Sequence, residues 1–336
     1  MKGMILAAGL GTRLRPITHS LPKPMVPLGN QPLIGWAAES LVDAGIRELV
    51  VNLHHLPGAI EQYLPSEFPD AHFDFSFEEE ILGTGGGIRK VRPLLERDVD
   101  FFVVNGDTMQ FARFGELRAA RQRADALAAL TLRHPPEGDH FTAVWLENGV
   151  ITGFGEGRGE PLMFSGSHLM SSRVFAYLPV TDFSNIVDEV YRPMVESGRE
   201  VLAGVVNDGL WFDIGTPQRY MTASRALLDG MRRGSIEPRK GSRVVDDCLM
   251  HESAEGSAQS SVIGARTVIE GTVRDSVVWD GCRIGPRATL DGCVVAHNVE
   301  IANDVHYVNA MICRAGRAIP KKPEYRFEND LVIVPI

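Results

Sequence analysis

The sequence predicts an α/β domain built on a mixed sheet, followed by a parallel β-helix. Two observations support this prediction. Over the first 230 residues, short apolar runs alternate with helix-period segments, which is typical of a mostly parallel sheet with helices on both faces. From Ser276 onward the helical period is absent, and the chain divides into sixes with Gly, Asn or Asp near the corners. A six-residue period of this kind indicates stacked β-helix coils.

The elements of the first part follow from apolar periodicity and from turn residues. Strands are predicted at residues 4–8, 48–52, 72–77, 101–104, 128–132, 163–169 and 201–206, with a hairpin at 144–151 and a further strand near Trp211. Helices are predicted at residues 32–44, 59–64, 87–95, 114–124, 186–197 and 216–229. This β-α rhythm is Rossmann-like and predicts ligand contacts at the carboxyl ends of the strands.

Length, composition and charge limit the possible classes of protein. The 336 residues suggest two domains, which we place at residues 1–232 and 241–336, joined by a polar linker. With 44% hydrophobic and 23% charged residues, the chain is neither disordered nor fibrous. The formal net charge of -9 argues against nucleic-acid or anionic-membrane partners. A phosphorylated ligand would therefore need a local cluster of basic side chains and backbone N–H groups.

The lack of targeting signals and the pattern of the cysteines favour a cytoplasmic protein. No apolar run approaches the length of a membrane span, and the N-terminus lacks the features of a signal peptide. The four cysteines include no C-x-x-C pair, so we expect buried thiols rather than zinc or disulfides.

A glycine-rich turn directly after the first strand is the feature that points most clearly to chemistry. Gly9 and Gly11 allow backbone N–H groups to approach phosphate oxygens, while Arg13 and Lys23 add cations close behind. Two other phosphate-binding motifs do not match this loop. The dinucleotide fingerprint requires Gly or Ala where Leu14 stands, and a Walker motif is absent. A phosphate loop of another kind remains.

This loop resembles the signature of the sugar-1-phosphate nucleotidylyltransferases, and the resemblance spans roughly residues 2–230. Residues 80–87 are similar to the nucleobase loop of that family, 103–107 to its first metal motif and 211–217 to its second. Several members also carry a C-terminal left-handed β-helix. The resemblance implies Mg²⁺-dependent transfer of a nucleotidyl group from a nucleoside triphosphate to a sugar 1-phosphate, giving an NDP-sugar and pyrophosphate.

The resemblance also implies roles for individual residues. Arg13 and Lys23 would be the catalytic cations, and Asp107 and Asp213 the metal ligands, since Mg²⁺ favours carboxylate oxygen. Nucleotide contacts are expected from Leu6, Ala8, Gly9, Gly11, Thr12, Arg13, Glu80, Gly83, Thr84 and Gly85. Sugar contacts are expected from Gly166, Asn185 and Glu189.

The base and the sugar stay open at this point. A carboxylate at Glu80 suits the paired donor edge of guanine, which favours GTP and a mannose- or heptose-type sugar, whereas Glu78 and Glu79 fit a solvated charge run. A uridylyltransferase acting on an amino sugar 1-phosphate is the alternative. The family's Glu-Lys-Pro motif is replaced by Glu156, Gly157 and Arg158, so Arg158 is a candidate for the missing lysine's role.

Other functions fit the sequence less well. A non-catalytic regulatory subunit would have eroded motifs, and the motifs here are intact. An acetyltransferase role for the β-helix lacks a clear catalytic histidine, although His297 and His306 lie in the repeat region. His54 and His55 have no neighbouring ligand residues and fit a loop. A homo-oligomer is expected because a short β-helix leaves an end or face for another subunit to cover.

Overall fold

The computed structural model describes residues 1–136, 141–239, 241–316 and 318–336. The chain divides into two compact units, one formed by residues 1–9 and 34–211 and the other by residues 10–33 and 212–336. The second unit thus contains most of the glycine-rich loop as well as the hexapeptide region. The predicted domains, 1–232 and 241–336, divide the chain by type of secondary structure and stay a prediction.

The first unit is organised around a nine-stranded sheet. Its strands are β1 (Gly3–Leu6), β2 (Glu48–Leu53), β3 (His72–Phe77), β4 (Asp100–Asn105), β5 (Ala128–Arg133), β6 (Val144–Glu147), β7 (Val150–Phe154), β8 (Glu160–Ser171) and β9 (Leu202–Val206). They are ordered β3-β2-β1-β4-β8-β5-β9-β7-β6. Strand β1 pairs in parallel with β2 and β4, whereas β8 runs antiparallel to β4 and β5. The mixed sheet is therefore confirmed.

The helices of the chain are α1 (Leu33–Asp43), α2 (Pro57–Glu67), α3 (Gly83–Lys90), α4 (Arg92–Leu95), α5 (Phe114–Ala124), α6 (Arg192–Glu196) and α7 (Pro217–Arg232). The prediction of one continuous helix at 87–95 is wrong, because two helices, α3 and α4, occupy this region. The helical segment begins earlier and breaks at Val91, because Pro93 has no N–H to continue the hydrogen bonds of α3 and lies instead in the first turn of α4. The helix predicted at 186–197 contains a π-turn at Val187–Tyr191 before α6.

The second unit contains a small hairpin, α7 and the β-helix. One face of the β-helix includes Val262–Ile263, Val277–Val278, Val294–Val295 and Ala310–Arg314; the second has Val268–Ile269, Arg283–Ile284 and Glu300–Ile301; the third has Thr272–Arg274, Thr289–Asp291 and His306–Val308. Neighbouring coils pair in parallel on each face. The antiparallel strand Leu331–Pro335 pairs with Ala310–Arg314 at the end of the first face.

The core of the β-helix forms by stacking equivalent residues of successive coils. Ile263, Val278, Val295 and Ile312 follow one another in register on one face and are fully buried. The strict six-residue period does not hold in these coils, since Val262, Val277, Val294 and Met311 pair in succession at spacings of 15, 17 and 17 residues rather than 18. The predicted fold class, a Rossmann-like α/β domain with a mixed sheet followed by a left-handed parallel β-helix, is confirmed. Within the described residues, no helix is both long and apolar enough to span a membrane.

Candidate functional site

Gly11 and Lys23 are in direct contact in the second unit. Gly11 has φ 60° and precedes a 3₁₀ turn at Thr12–Leu14. A Cβ at Gly11 would lie 2.7 Å from the Cβ of Lys23, so both the backbone angle and the close approach require glycine. The hydroxyl of Thr18 donates to the Gly11 carbonyl at 2.8 Å. The glycine turn and the lysine therefore form one local structure.

The carboxylate of Asp213 lies between two cations. Lys23 Nζ is 3.2 Å from Oδ1, and Arg219 Nη1 is 3.1 Å from Oδ2. The side chains of Lys23 and Asp213 are 8% and 18% exposed, so these interactions are only weakly screened by water. Arg13 packs over Gly215, where a Cβ would lie 2.8 Å from Arg13 Nη2. The second unit thus gathers two predicted catalytic cations and one predicted metal ligand.

Arg219 was missed by the sequence analysis. Thr216 caps α7 by accepting a hydrogen bond from the Arg219 backbone N–H at 3.3 Å, which places Arg219 in the first turn. A cation is unfavourable at the positive end of a helix dipole unless an anion lies nearby. The signal that could have revealed this pair was a basic residue in the first turn of a helix that begins shortly after Asp213.

In the first unit, the predicted nucleotide and metal residues lie at the carboxyl ends of neighbouring strands. Leu6 ends β1 and stands opposite Asn105 at the end of β4. Ala8 is buried, whereas Gly9 is exposed. Asp107 is half-buried in the turn after β4, with Thr108 Oγ1 at 3.4 Å from its Oδ1. This edge is where open α/β sheets place their ligands.

Glu78 is a buried structural residue, so its assignment to a solvated charge run is wrong. It is 1% exposed, and its two carboxylate oxygens accept from Asn52 Nδ2 at 2.7 Å and from the Leu82 backbone N–H at 3.0 Å. The Ala7 N–H donates to Asn52 Oδ1 at 2.8 Å, which fixes the orientation of the amide. His54 Nδ1 shares a hydrogen bond with the Glu78 carbonyl at 2.8 Å. The network joins the ends of β1 and β2 to the predicted nucleobase loop.

The glycines of that loop have packing roles. Gly83 has φ 72°, and a Cβ there would lie 2.4 Å from the carbonyl oxygen of Ser184. The Gly85 N–H donates to this carbonyl at 2.9 Å, and Thr84 Oγ1 accepts from the Ile186 N–H at 3.0 Å. These contacts hold the start of α3 against residues 184–186. Glu79 and Glu80, in contrast, are exposed, so Glu80 is available to a ligand.

The predicted sugar contacts fall into two places. Asn185 and Glu189 lie together, because the Asn185 N–H donates to Glu189 Oε2 at 2.7 Å. Gly166 lies at a bulge in β8 with φ 101°, and a Cβ there would be 2.6 Å from Asn105 Nδ2. Gly166 therefore faces the end of β4, beside the turn that carries Asp107.

The departure from the Glu-Lys-Pro motif has a structural counterpart. A Cβ at Gly157 would lie 2.4 Å from the Cβ of Trp145, so a lysine at this position would collide with the Trp145 side chain. Arg158 follows in an exposed position, and its backbone is held by Thr152, whose hydroxyl donates to the Arg158 carbonyl at 2.6 Å. The backbone of Arg158 is thus fixed by hydrogen bonds, while its side chain is exposed to solvent.

A buried polar pair supports the π-turn and was also missed by the sequence analysis. His168 Nδ1 and Tyr191 Oη share a hydrogen bond of 2.7 Å, and both residues are buried. Burial lowers the pKa of His168 to about 3 and raises that of Tyr191 well above its usual value, so both are neutral. The pair attaches the π-turn that carries Glu189 to β8. Among the described residues, no group of three or more His, Cys, Asp or Glu side chains could hold a metal ion.

Comparison with known proteins identifies two families along the chain. The family described as "Nucleotidyl transferase" matches residues 2–230, and the one described as "GlmU-like, C-terminal hexapeptide" matches residues 243–324. The chain is 30% identical to "Probable mannose-1-phosphate guanylyltransferase 3" of Oryza sativa subsp. japonica, over 93% of this chain and 86% of that protein. It is 27% identical to "Mannose-1-phosphate guanylyltransferase" of Mycobacterium tuberculosis, over 89% of this chain and 80% of that protein.

A solved structure with a similar fold matches part of the chain. The crystal structure of HddC from Yersinia pseudotuberculosis complexed with GMP-PN has a TM-score of 0.56 and 24% sequence identity. The match covers 67% of this chain and 99% of that one. At this identity the likeness concerns the fold alone.

Proposed function

The chain belongs to the nucleotidyl transferase family, and we propose that it transfers GMP from GTP to a mannose- or heptose-type sugar 1-phosphate. The observation that carries this proposal is the cluster of Arg13, Lys23, Asp213 and Arg219 around the glycine turn. An acidic protein needs such a local concentration of cations to handle a triphosphate.

The proposed reaction is a direct displacement at the α-phosphorus. An oxygen of the sugar phosphate forms the new bond to the α-phosphorus, the bond to the bridging oxygen breaks, and pyrophosphate leaves with that electron pair. Arg13 would hold the β- and γ-phosphates, and Lys23 would neutralise charge on the α-phosphate and the leaving group. Both residues act through position and charge, which dominate catalysis of phosphoryl and nucleotidyl transfer.

Asp107 and Asp213 are the proposed ligands of a divalent metal ion, which we take to be Mg²⁺. The donors fit such an ion, because carboxylate oxygens are hard ligands and neither side chain is fully buried. When bound, the ion would neutralise phosphate charge and orient the triphosphate. Arg219 would keep the Asp213 carboxylate in place through Oδ2, so that Oδ1 stays beside Lys23.

The base and the sugar rest on different arguments. Glu80 is exposed on the loop that ends at α3, where its carboxylate could accept from the donor edge of guanine, with Gly83, Thr84 and Gly85 behind it. The guanylyltransferase names of the relatives support GTP. Gly166, Asn185 and Glu189 are the proposed sugar contacts. We also propose that the protein is cytoplasmic, in line with the four buried cysteines that form no disulfide. We further propose that it forms a homo-oligomer.

The test is pyrophosphate release from each of the four common nucleoside triphosphates with a panel of sugar 1-phosphates. GTP with a mannose- or heptose-type substrate should be preferred, and UTP with an amino sugar 1-phosphate would establish the alternative instead. Glu80→Gln should raise the KM for GTP about tenfold if the carboxylate contacts guanine, by the 1–3 kcal/mol that a lost charged hydrogen bond costs. Glu79→Gln, at the exposed neighbouring position, is the matched control.

A further inference from the structure

A hairpin directly after Lys23 connects the catalytic loop to the β-helix. The 3₁₀ turn Lys23–Met25 ends with a hydrogen bond from the Val26 N–H to the Lys23 carbonyl. Strand Pro27–Leu28 begins at the next residue and pairs with Gln31–Pro32. The two turn residues, Gly29 and Asn30, both have φ 61°, as a type I′ hairpin requires. The position of this hairpin therefore fixes where the Lys23–Met25 turn ends.

Helix α7 holds one side of the hairpin. The hydroxyl of Tyr220 donates to the Pro27 carbonyl at 2.6 Å, and Tyr220 is 1% exposed. Gly29 lies against Leu227, where a Cβ would be 2.5 Å from the Leu227 side chain. A proline carbonyl that accepts from a buried phenol has little freedom to move.

The β-helix holds the hairpin from two further points. Trp279 Nε1 donates to the Tyr220 hydroxyl oxygen at 2.8 Å, and the two rings meet edge to face with centroids 6.3 Å apart. Asn30 Nδ2 lies 3.0 Å from the Ile263 carbonyl and 3.2 Å from Ser242 Oγ. Tyr220 is thus donor to the hairpin and acceptor from the β-helix, which completes its hydrogen bonding. There are thus two hydrogen-bonded routes from the β-helix to the hairpin, one through Asn30 and the other through Trp279 and Tyr220. Both reach the hairpin within seven residues of Lys23.

We propose that the β-helix positions the catalytic lysine, with Trp279, Tyr220 and Asn30 as positioning residues. This inference rests on the proposed role of Lys23 in nucleotidyl transfer. Catalysis that depends on placing a point charge is sensitive to displacements below 1 Å. Because the hairpin begins beside the Lys23 turn, loosening its attachment to the β-helix would loosen the Nζ position as well. The hexapeptide region would then contribute to catalysis by positioning Lys23.

Asn30→Gly is the cleanest test, because glycine keeps φ 61° and removes only the two side-chain hydrogen bonds. Asn329→Gly is the matched control, since Asn329 also has a positive φ, 53°, and is exposed in the C-terminal hairpin. We expect Asn30→Gly to lower kcat roughly tenfold with a smaller change in the KM for the nucleotide. The control should keep kcat. The melting temperature of Asn30→Gly should lie no more than roughly 10 °C below that of Asn329→Gly, as the loss of two hydrogen bonds predicts.

Trp279→Phe tests the second route by removing the indole N–H while keeping an aromatic ring. Tyr307→Phe is its control, because Tyr307 Oη donates to Glu328 at 2.7 Å elsewhere in the β-helix. Trp279→Phe should lower kcat, and Tyr307→Phe should leave it unchanged. In a Lys23→Met background, neither Asn30→Gly nor Trp279→Phe should lower the residual rate further.

The outcomes separate the two proposals. Full activity of Lys23→Met would overturn the role of the lysine and thus the proposed function. If Lys23→Met is impaired but Asn30→Gly and Trp279→Phe keep the wild-type kcat, the positioning role of the β-helix is wrong. Equal losses from Asn30→Gly and Asn329→Gly, or losses that persist in the Lys23→Met background, would also overturn it, because they would reflect a general loss of stability.

Discussion

Glu78→Gln should destabilise the first unit although it changes only one atom. An amide can accept through one oxygen, whereas the Glu78 carboxylate accepts from Asn52 Nδ2 and from the Leu82 N–H through two. In the variant, the new NH₂ group must face one of these donors. Asn52 cannot compensate by turning its amide, because the Ala7 N–H would then face the Asn52 NH₂ group. One buried donor is left unpaired in either orientation.

The expected cost is about 1–3 kcal/mol, because that is the desolvation penalty of one buried donor left without an acceptor. The free energy of unfolding should be measured by urea denaturation followed by circular dichroism. Glu79→Gln, at the adjacent exposed position, should stay within about 0.5 kcal/mol of wild type. Equal stabilities of Glu78→Gln and Glu79→Gln would contradict this prediction, because the Glu78 network would then contribute nothing.

Three further predictions concern other parts of the first unit. Asp107→Asn should abolish pyrophosphate release while leaving the melting temperature unchanged; full activity would refute the metal assignment. Gly166→Ala should cost about 1–3 kcal/mol in urea denaturation, because φ 101° is strained for alanine; wild-type stability would contradict this. Hydrogen bonds to Asp208 and then Glu160, both at 2.8 Å, raise the pKa of His134. Its stabilising contribution should be complete below the unfolded pKa of about 6.5 and vanish as pH rises through the folded pKa. The melting temperature difference between wild type and His134→Gln should therefore shrink with rising pH, and a constant or growing difference would contradict the assignment.

Much of the fold was predictable because its signals are local. A strand in the centre of a sheet is recognisable as a short apolar run, as in β4. A β-helix is recognisable because its inward-facing residues recur at similar intervals along the chain. The helix boundaries at α3 and α4 were less accurate, because the glycines at 83–87 look like loop residues. Only their contacts with Ser184 and Glu78 explain why a helix of glycines forms there.

The order of the motifs and the two kinds of secondary structure could be predicted from the sequence, and the residues proposed for phosphate and metal binding were chosen from it. Which partners those residues have depends on the folded chain. Adjacent glutamates differ completely in burial, Arg219 meets Asp213 at the start of a helix, and Trp279 reaches the hairpin beside Lys23 through Tyr220. The physical reason is that periodicity and spacing depend on the local backbone. Burial and hydrogen-bond pairing depend instead on segments that are distant in the chain and meet only in the folded protein.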